Sequence, residues 1–130
     1  MLPSLMQIES RSGTAAYPHR LFEAGEVAIA DTSMPHGSRT ELHLGALVVH
    51  RETTLSEIHA DLEFLLHQLG LQLELKELDH PSYLPGRVAR VMVQQQAVGV
   101  LGEVHPEVLE KWELGMPVAA FEINLGALVE

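Results

Sequence analysis

The 130-residue chain contains no cysteine, which excludes disulfides, thiolate metal sites and cysteine nucleophiles, and which suits a cytoplasmic protein. Positive charge is also scarce. Eight Lys and Arg residues face eighteen Asp and Glu, and the only lysines are Lys76 and Lys111. A net charge near −10 repels phosphate backbones, and the arginines form no stripe, so neither composition nor pattern suits direct nucleic-acid binding. No apolar run approaches the ~20 residues of a membrane span. The opening MLPSLMQIESRSG has neither a basic start nor a long apolar stretch, so no secretory leader is expected. Repeats and low-complexity tracts are absent.

What remains is ordinary globular material. The hydrophobic share is 46%, and the length fits one domain over 1–130 that buries roughly two-thirds of its unfolded surface. RLFEAGEVAIA and ELHLGALVVH read as two strands of a hairpin, joined by the Ser-, Pro- and Gly-rich loop Asp31–Thr40. TTLSEIHADLEFLLHQLG predicts a helix, with Thr54 and Glu57 as a capping box. Ile58, Leu62, Leu65, Leu66 and Leu69 form its apolar stripe, and Gly70 is its stop.

LQLELKEL alternates strictly and predicts a strand with one wet face, followed by HPSYLPG as a loop. RVARVMV and AVGVLGEV form a strand pair across QQQ. Pro106 opens a short helix with Val108, Leu109 and Trp112 inward, ended by Gly115 and Pro117; VAAFEINL is the last strand. About six strands and two helices, with a further short helix possible at the N-terminus, give an α+β fold on a largely antiparallel sheet.

No constellation of residues predicts catalysis. His59, Glu63 and His67 share one helix face, but positions eight apart span roughly 12 Å of axis, too far for one tetrahedral ion. A solvated face opposite the leucines is the better reading. Asp79, His80 and Ser82 have the residue types of a hydrolase triad, yet they are neighbours on one loop, where Asp79 suits the turn before Pro81. Gly99 and Gly102 match no phosphate-binding pattern and suit a bulge or close backbone packing. His105 precedes Pro106 and suits a helix N-cap.

Several segments in fixed order carry a family resemblance: LPSLMQIESRSGTAAYPHRLFEAGEVAI, TTLSEIHADLEFLLHQLG, DHPSYLPGRVARVMV, VGVLGEVHPEVLEKWEL and MPVAAFEINL. The chain resembles the C-terminal, catalytic-like module of the phenylalanyl-tRNA synthetase β subunit, of the archaeal and eukaryotic kind, over nearly its whole length. The combination of P-G-R with G-x-L-G-x-x-H-P-E-V is its most specific mark. The resemblance implies the antiparallel class II synthetase fold, flanked by helices and without the N-terminal part of the module that carries the first motif and much of the subunit interface. It also implies a non-catalytic scaffold in phenylalanine–tRNA ligase that supports an α catalytic subunit in tRNA(Phe) aminoacylation.

Alignment with the second class II motif puts Ile29 where the phosphate-binding arginine would stand, and Asp31 where the adenine-binding glutamate would stand. Isoleucine cannot replace that charged fork. The chain alone is therefore expected to be inactive, with no catalytic, cofactor or metal residues and no cofactor. Its expected partner is the α subunit, with a second copy also able to pair along an exposed strand edge. Two other readings stay open: a stand-alone synthetase-like paralogue binding a protein partner, or a small ligand beneath FEAGEV and FEINL, and a metal enzyme using the histidines.

Overall fold

The computed structural model describes residues 3, 5–7, 19–49 and 55–128. Among them, six strands form one sheet, in chain order β1 (His19–Ala30), β2 (Ser38–Val49), β3 (Glu74–Glu77), β4 (Tyr83–Val93), β5 (Gln96–Val104) and β6 (Val118–Asn124). Helix α1 (Leu55–Gln68) follows β2, α2 (Pro106–Lys111) follows β5, and a 3-10 turn (Leu125–Ala127) follows β6. Pro3 and Leu5–Gln7 are helical. The spatial order is β1-β2-β6-β5-β4-β3, and every neighbouring pair is antiparallel. This is the expected α+β architecture.

Both faces of the central strands are covered, so β6 is apolar along most of its length instead of alternating. On one face Ile58, Leu62 and Leu66 of α1 pack on Ala46, Val91, Leu101, Phe121 and Ile123. On the other, Leu5, Met6, Leu47, Tyr83, Val104 and Val118 are buried, with Val108, Leu109 and Trp112 partly buried against them. Only three of the five expected stripe residues of α1 are fully buried; Leu65 is half-buried and Leu69 lies beyond the helix, exposed. Gly70 ends the helix as expected. Its φ of +74° lets its N–H reach the His67 carbonyl while Leu71 N–H reaches Leu66, the Schellman pattern. Of the capping box, Thr54 lies outside the described residues, while the Glu103 carboxylate accepts the Leu55 N–H at 3.3 Å.

Four local expectations need correction. The first hairpin loop is shorter than 31–40, because Ser38, Arg39 and Thr40 already pair with Ala30, Ile29 and Ala28. The strand expected over 71–78 shrinks to Glu74–Glu77, an exposed edge, while Leu71 and Leu73 approach it as irregular chain packed against the core. HPSYLPG is not all loop: β4 starts at Tyr83, and Leu84–Arg87 bulge out opposite Glu103, with Gly86 at φ +76°. The left-handed residue that ends α2 is Glu113 (φ +57°), not Gly115; its N–H reaches Glu110 and Leu114 N–H reaches Leu109.

Candidate functional site: the charged ladder of the first hairpin

Arg39, Glu41 and His43 occupy every second position of β2, so they share one face of the sheet. They extend into a ladder. Arg39 Nε lies 3.1 Å from Asp31 Oδ2, and Arg39 Nη1 donates to Glu41 Oε2. His43 Nε2 lies 2.9 Å from Glu41 Oε1, and His43 Nδ1 lies 2.6 Å from Glu122 Oε2 on β6. Donors and carboxylates alternate from the hairpin tip to the middle of the sheet.

The hydroxyl and then the amide of Ser33 hold the Asp31 carboxyl below its ordinary pKa, with Arg39 adding to them. Arg39 does the same for Glu41, followed by His43. Ile29 sits directly opposite Arg39 in the β1–β2 register. The one guanidinium next to the motif position is thus held between Asp31 and Glu41. An incoming phosphate would meet two carboxylates already placed on this guanidinium.

The other sequence candidates resolve into structural parts. His59 Nε2 lies 3.6 Å from Glu63 on the exposed side of α1, and no group of three His, Asp or Glu among the described residues is arranged to hold a metal ion. His80 Nδ1 accepts the backbone N–H of Ser82 at 3.1 Å, and its ring meets Tyr83 edge-on at 5.0 Å. These contacts fix the entry to β4 and bring no triad geometry. A Cβ on Gly99 would lie 2.1 Å from the Glu122 carbonyl oxygen, and one on Gly102 would lie 2.8 Å from the Tyr83 ring. Both glycines thus permit close packing, and Val98 forms a bulge beside Gly99. His105 caps α2, its Nδ1 accepting the Glu107 N–H at 3.1 Å.

Two features were not singled out in the sequence. The ladder had a legible signal, R-x-E-x-H at strand spacing, which would have pointed to Arg39, Glu41 and His43. The second is an apolar strip on the opposite face of the sheet. Phe22 is 64% exposed, Phe64 67% and Leu42 40%, and Leu44 and Phe121 form the floor between the two phenylalanines. Arg20 ties this corner together, with Nη2 2.7 Å from Glu57 and Nη1 2.5 Å from Asp61. The hollow expected beneath FEAGEV and FEINL lies in this strip, where Phe22 of the first segment and Phe121 of the second both line it.

Comparison with known proteins places the chain in a family. Residues 1–125 match the family described as phenylalanyl tRNA synthetase beta chain CLM domain. The phenylalanine–tRNA ligase beta subunit of Thermococcus onnurineus is 41% identical over 128 residues, 98% of this chain and 22% of that protein. The beta subunit of Thermofilum pendens is 41% identical over 130 residues, covering 100% and 23%. That of Treponema pallidum is 37% identical over 129 residues, covering 99% and 21%. The chain therefore spans about a fifth of the length of these relatives. It belongs to the phenylalanyl-tRNA synthetase beta chain CLM domain family.

Proposed function

We propose that the chain is a non-catalytic scaffold module of phenylalanine–tRNA ligase, equivalent to the C-terminal catalytic-like module of its β subunit. It has a class II synthetase-like sheet and works in the cytoplasm beside an α-type catalytic subunit that aminoacylates tRNA(Phe). The state of the first hairpin carries this reading. Ile29 offers no charge to a phosphate, and Arg39 opposite it is bound by Asp31 and Glu41. Substrate activation needs a free cation aimed at the developing charge, and the guanidinium of Arg39 is engaged by two carboxylates. The net charge of −10 supports contact through protein and not through direct binding of tRNA.

The Phe22–Phe64 strip is the seat for the partner. Large exposed aromatic side chains that close together are what a protein interface buries, and β1 is hydrogen-bonded on one side only among the described residues. Co-expression with a phenylalanyl-tRNA synthetase α chain and tagged capture tests this reading. The α chain is expected to be retained, and to be lost with Phe22→Ser plus Phe64→Ser. The module alone is expected to give no ATP–pyrophosphate exchange. Exchange that Arg39→Ala abolishes would overturn the non-catalytic reading. Capture of a second copy with no α chain would overturn the choice of partner, leaving pairing along the β1 edge.

A further inference from the structure

A groove of about 670 Å³ runs between the β4 bulge, the end of β5, α2 and the approach to β6. Its floor is apolar and includes Leu84, Val104, Leu109, Leu114, Met116 and Val118. Val104 and Val118 are buried, whereas Leu109, Leu114 and Met116 pack against the core yet stay half-buried. Three carboxylates border this floor, those of Glu103, Glu110 and Glu113.

The three differ in what already holds them. Glu103 accepts the Leu55 N–H and lies 3.5 Å from Arg87. Glu110 and Glu113 are exposed, and among the described residues neither carboxylate has an ion-pair or hydrogen-bond partner. Glu110 is in the last turn of α2 and Glu113 just beyond it, at the helix end that itself carries partial negative charge. The one cation of that turn, Lys111, borders a different hollow together with Trp112.

An apolar floor inside a charged rim is the anatomy of a protein interface. A small-molecule site instead gathers a few polar groups within the pocket to fix the orientation of one ligand. The sign of the rim selects the occupant. Nucleic acid is repelled, and so is a second copy of a chain whose net charge is −10. A segment with apolar side chains between two lysines or arginines matches both floor and rim.

We infer that this groove docks a short cationic and apolar segment of a partner protein. Its apolar side chains lie on Leu109, Leu114 and Met116, and its Lys or Arg groups meet Glu110 and Glu113. The groove is on the sheet face away from α1 and the Phe22–Phe64 strip, so it stands or falls independently of the scaffold reading.

Two-dimensional NMR of the isotope-labelled 130-residue chain, titrated with the peptide acetyl-KLFLK-amide, tests the inference. Saturable shifts are expected at Leu84 and over Leu109–Met116. Acetyl-KSGSK-amide keeps the charge without the anchor, and acetyl-ELFLE-amide keeps the anchor with the opposite charge. Each should bind at least about fivefold more weakly. Glu110→Gln plus Glu113→Gln should weaken acetyl-KLFLK-amide binding about fivefold, as expected for the loss of two screened rim ion pairs. Both side chains are exposed, so the fold is kept. Glu26→Gln plus Glu74→Gln removes the same charge from β1 and β3, and should change the affinity by less than about twofold. Absence of saturation, shifts centred outside the groove, or equal losses from the two double variants would each overturn the inference. Shifts at these residues that grow with the concentration of the free chain would assign the groove to a second copy. Phenethylamine binding as tightly as the peptide would assign it to a small molecule, and either result would overturn the choice of occupant.

Discussion

Gly99 on β5 lies against the backbone of Glu122 on β6, so closely that a Cβ there would sit 2.1 Å from the Glu122 carbonyl oxygen and 2.8 Å from Ile123 Cα. The atoms it would meet are backbone, which cannot rotate aside. The contact is at the centre of the sheet, where the Val98 bulge tightens β5 against its neighbours. Gly99→Ala is therefore expected to destabilise the chain by about 3 kcal/mol, the upper part of the range for overpacking. Urea unfolding would show this as a lower midpoint at unchanged slope. A midpoint equal to that of the parent would mean that β5 and β6 do not approach this closely.

The turn between β4 and β5 predicts the opposite sign. Gln94 and Gln95 have φ of 52° and 66°, and Val93 pairs with Gln96, so the loop is a two-residue turn with both residues left-handed. Glutamine is strained there, whereas Asn-Gly is suited to it. Replacing Gln94-Gln95 by Asn-Gly is expected to stabilise the chain by roughly 1–2 kcal/mol. Thermal unfolding of the double variant would check it, and a lowered midpoint would contradict the turn geometry.

How legible each element was depends on whether its cause is local. Helix α1 could be read because the Ile58–Leu62–Leu66 spacing and Gly70 are local signals that tertiary packing only confirms. Arg87–Val93 was read correctly as strand, but Tyr83–Gly86 was misread because Pro85-Gly86 looks like a loop in sequence, while the sheet absorbs both as a bulge against Glu103. The end of α2 was misplaced for a related reason. Packing of Leu109, Trp112 and Leu114 forces Glu113 into a conformation that Gly115, two residues later, appeared to provide for. The ladder was legible in β2 alone, but its last member, Glu122, comes from a strand 79 residues away from His43, and no sequence spacing shows that contact.

The ladder makes a pH prediction. Asp31 and Glu41 have folded pKa values below their unfolded ones, because Ser33 and Arg39 favour their charged forms. Carboxyls shifted in this direction contribute stability that is fully present above the unfolded pKa, near 4, and is lost as the pH falls through the folded value. Arg39→Gln removes a donor to both. The variant is expected to melt slightly lower than the parent at pH 7, and this difference should disappear as the pH is lowered below about 4. A difference that persists or grows in acid would show that Arg39 acts through packing and not through these charges.

His105 distinguishes a structural from a chemical role for the histidine of the VHPEV stretch. Its Nδ1 accepts the Glu107 N–H, one of the donors left without an intrahelical partner in the first turn of α2, and Pro106 has no N–H to satisfy. Asparagine can accept the same bond from its side-chain oxygen, and alanine cannot. His105→Ala is expected to cost about 1 kcal/mol and His105→Asn close to nothing, the ordinary cost and rescue of an N-cap. Chemical denaturation of the two variants gives the first readout. Capture of the α chain gives the second, and both variants should retain it, since α2 keeps its place once folded. If asparagine failed to rescue stability while both variants lost the partner, His105 would be an interface residue and its cap geometry incidental.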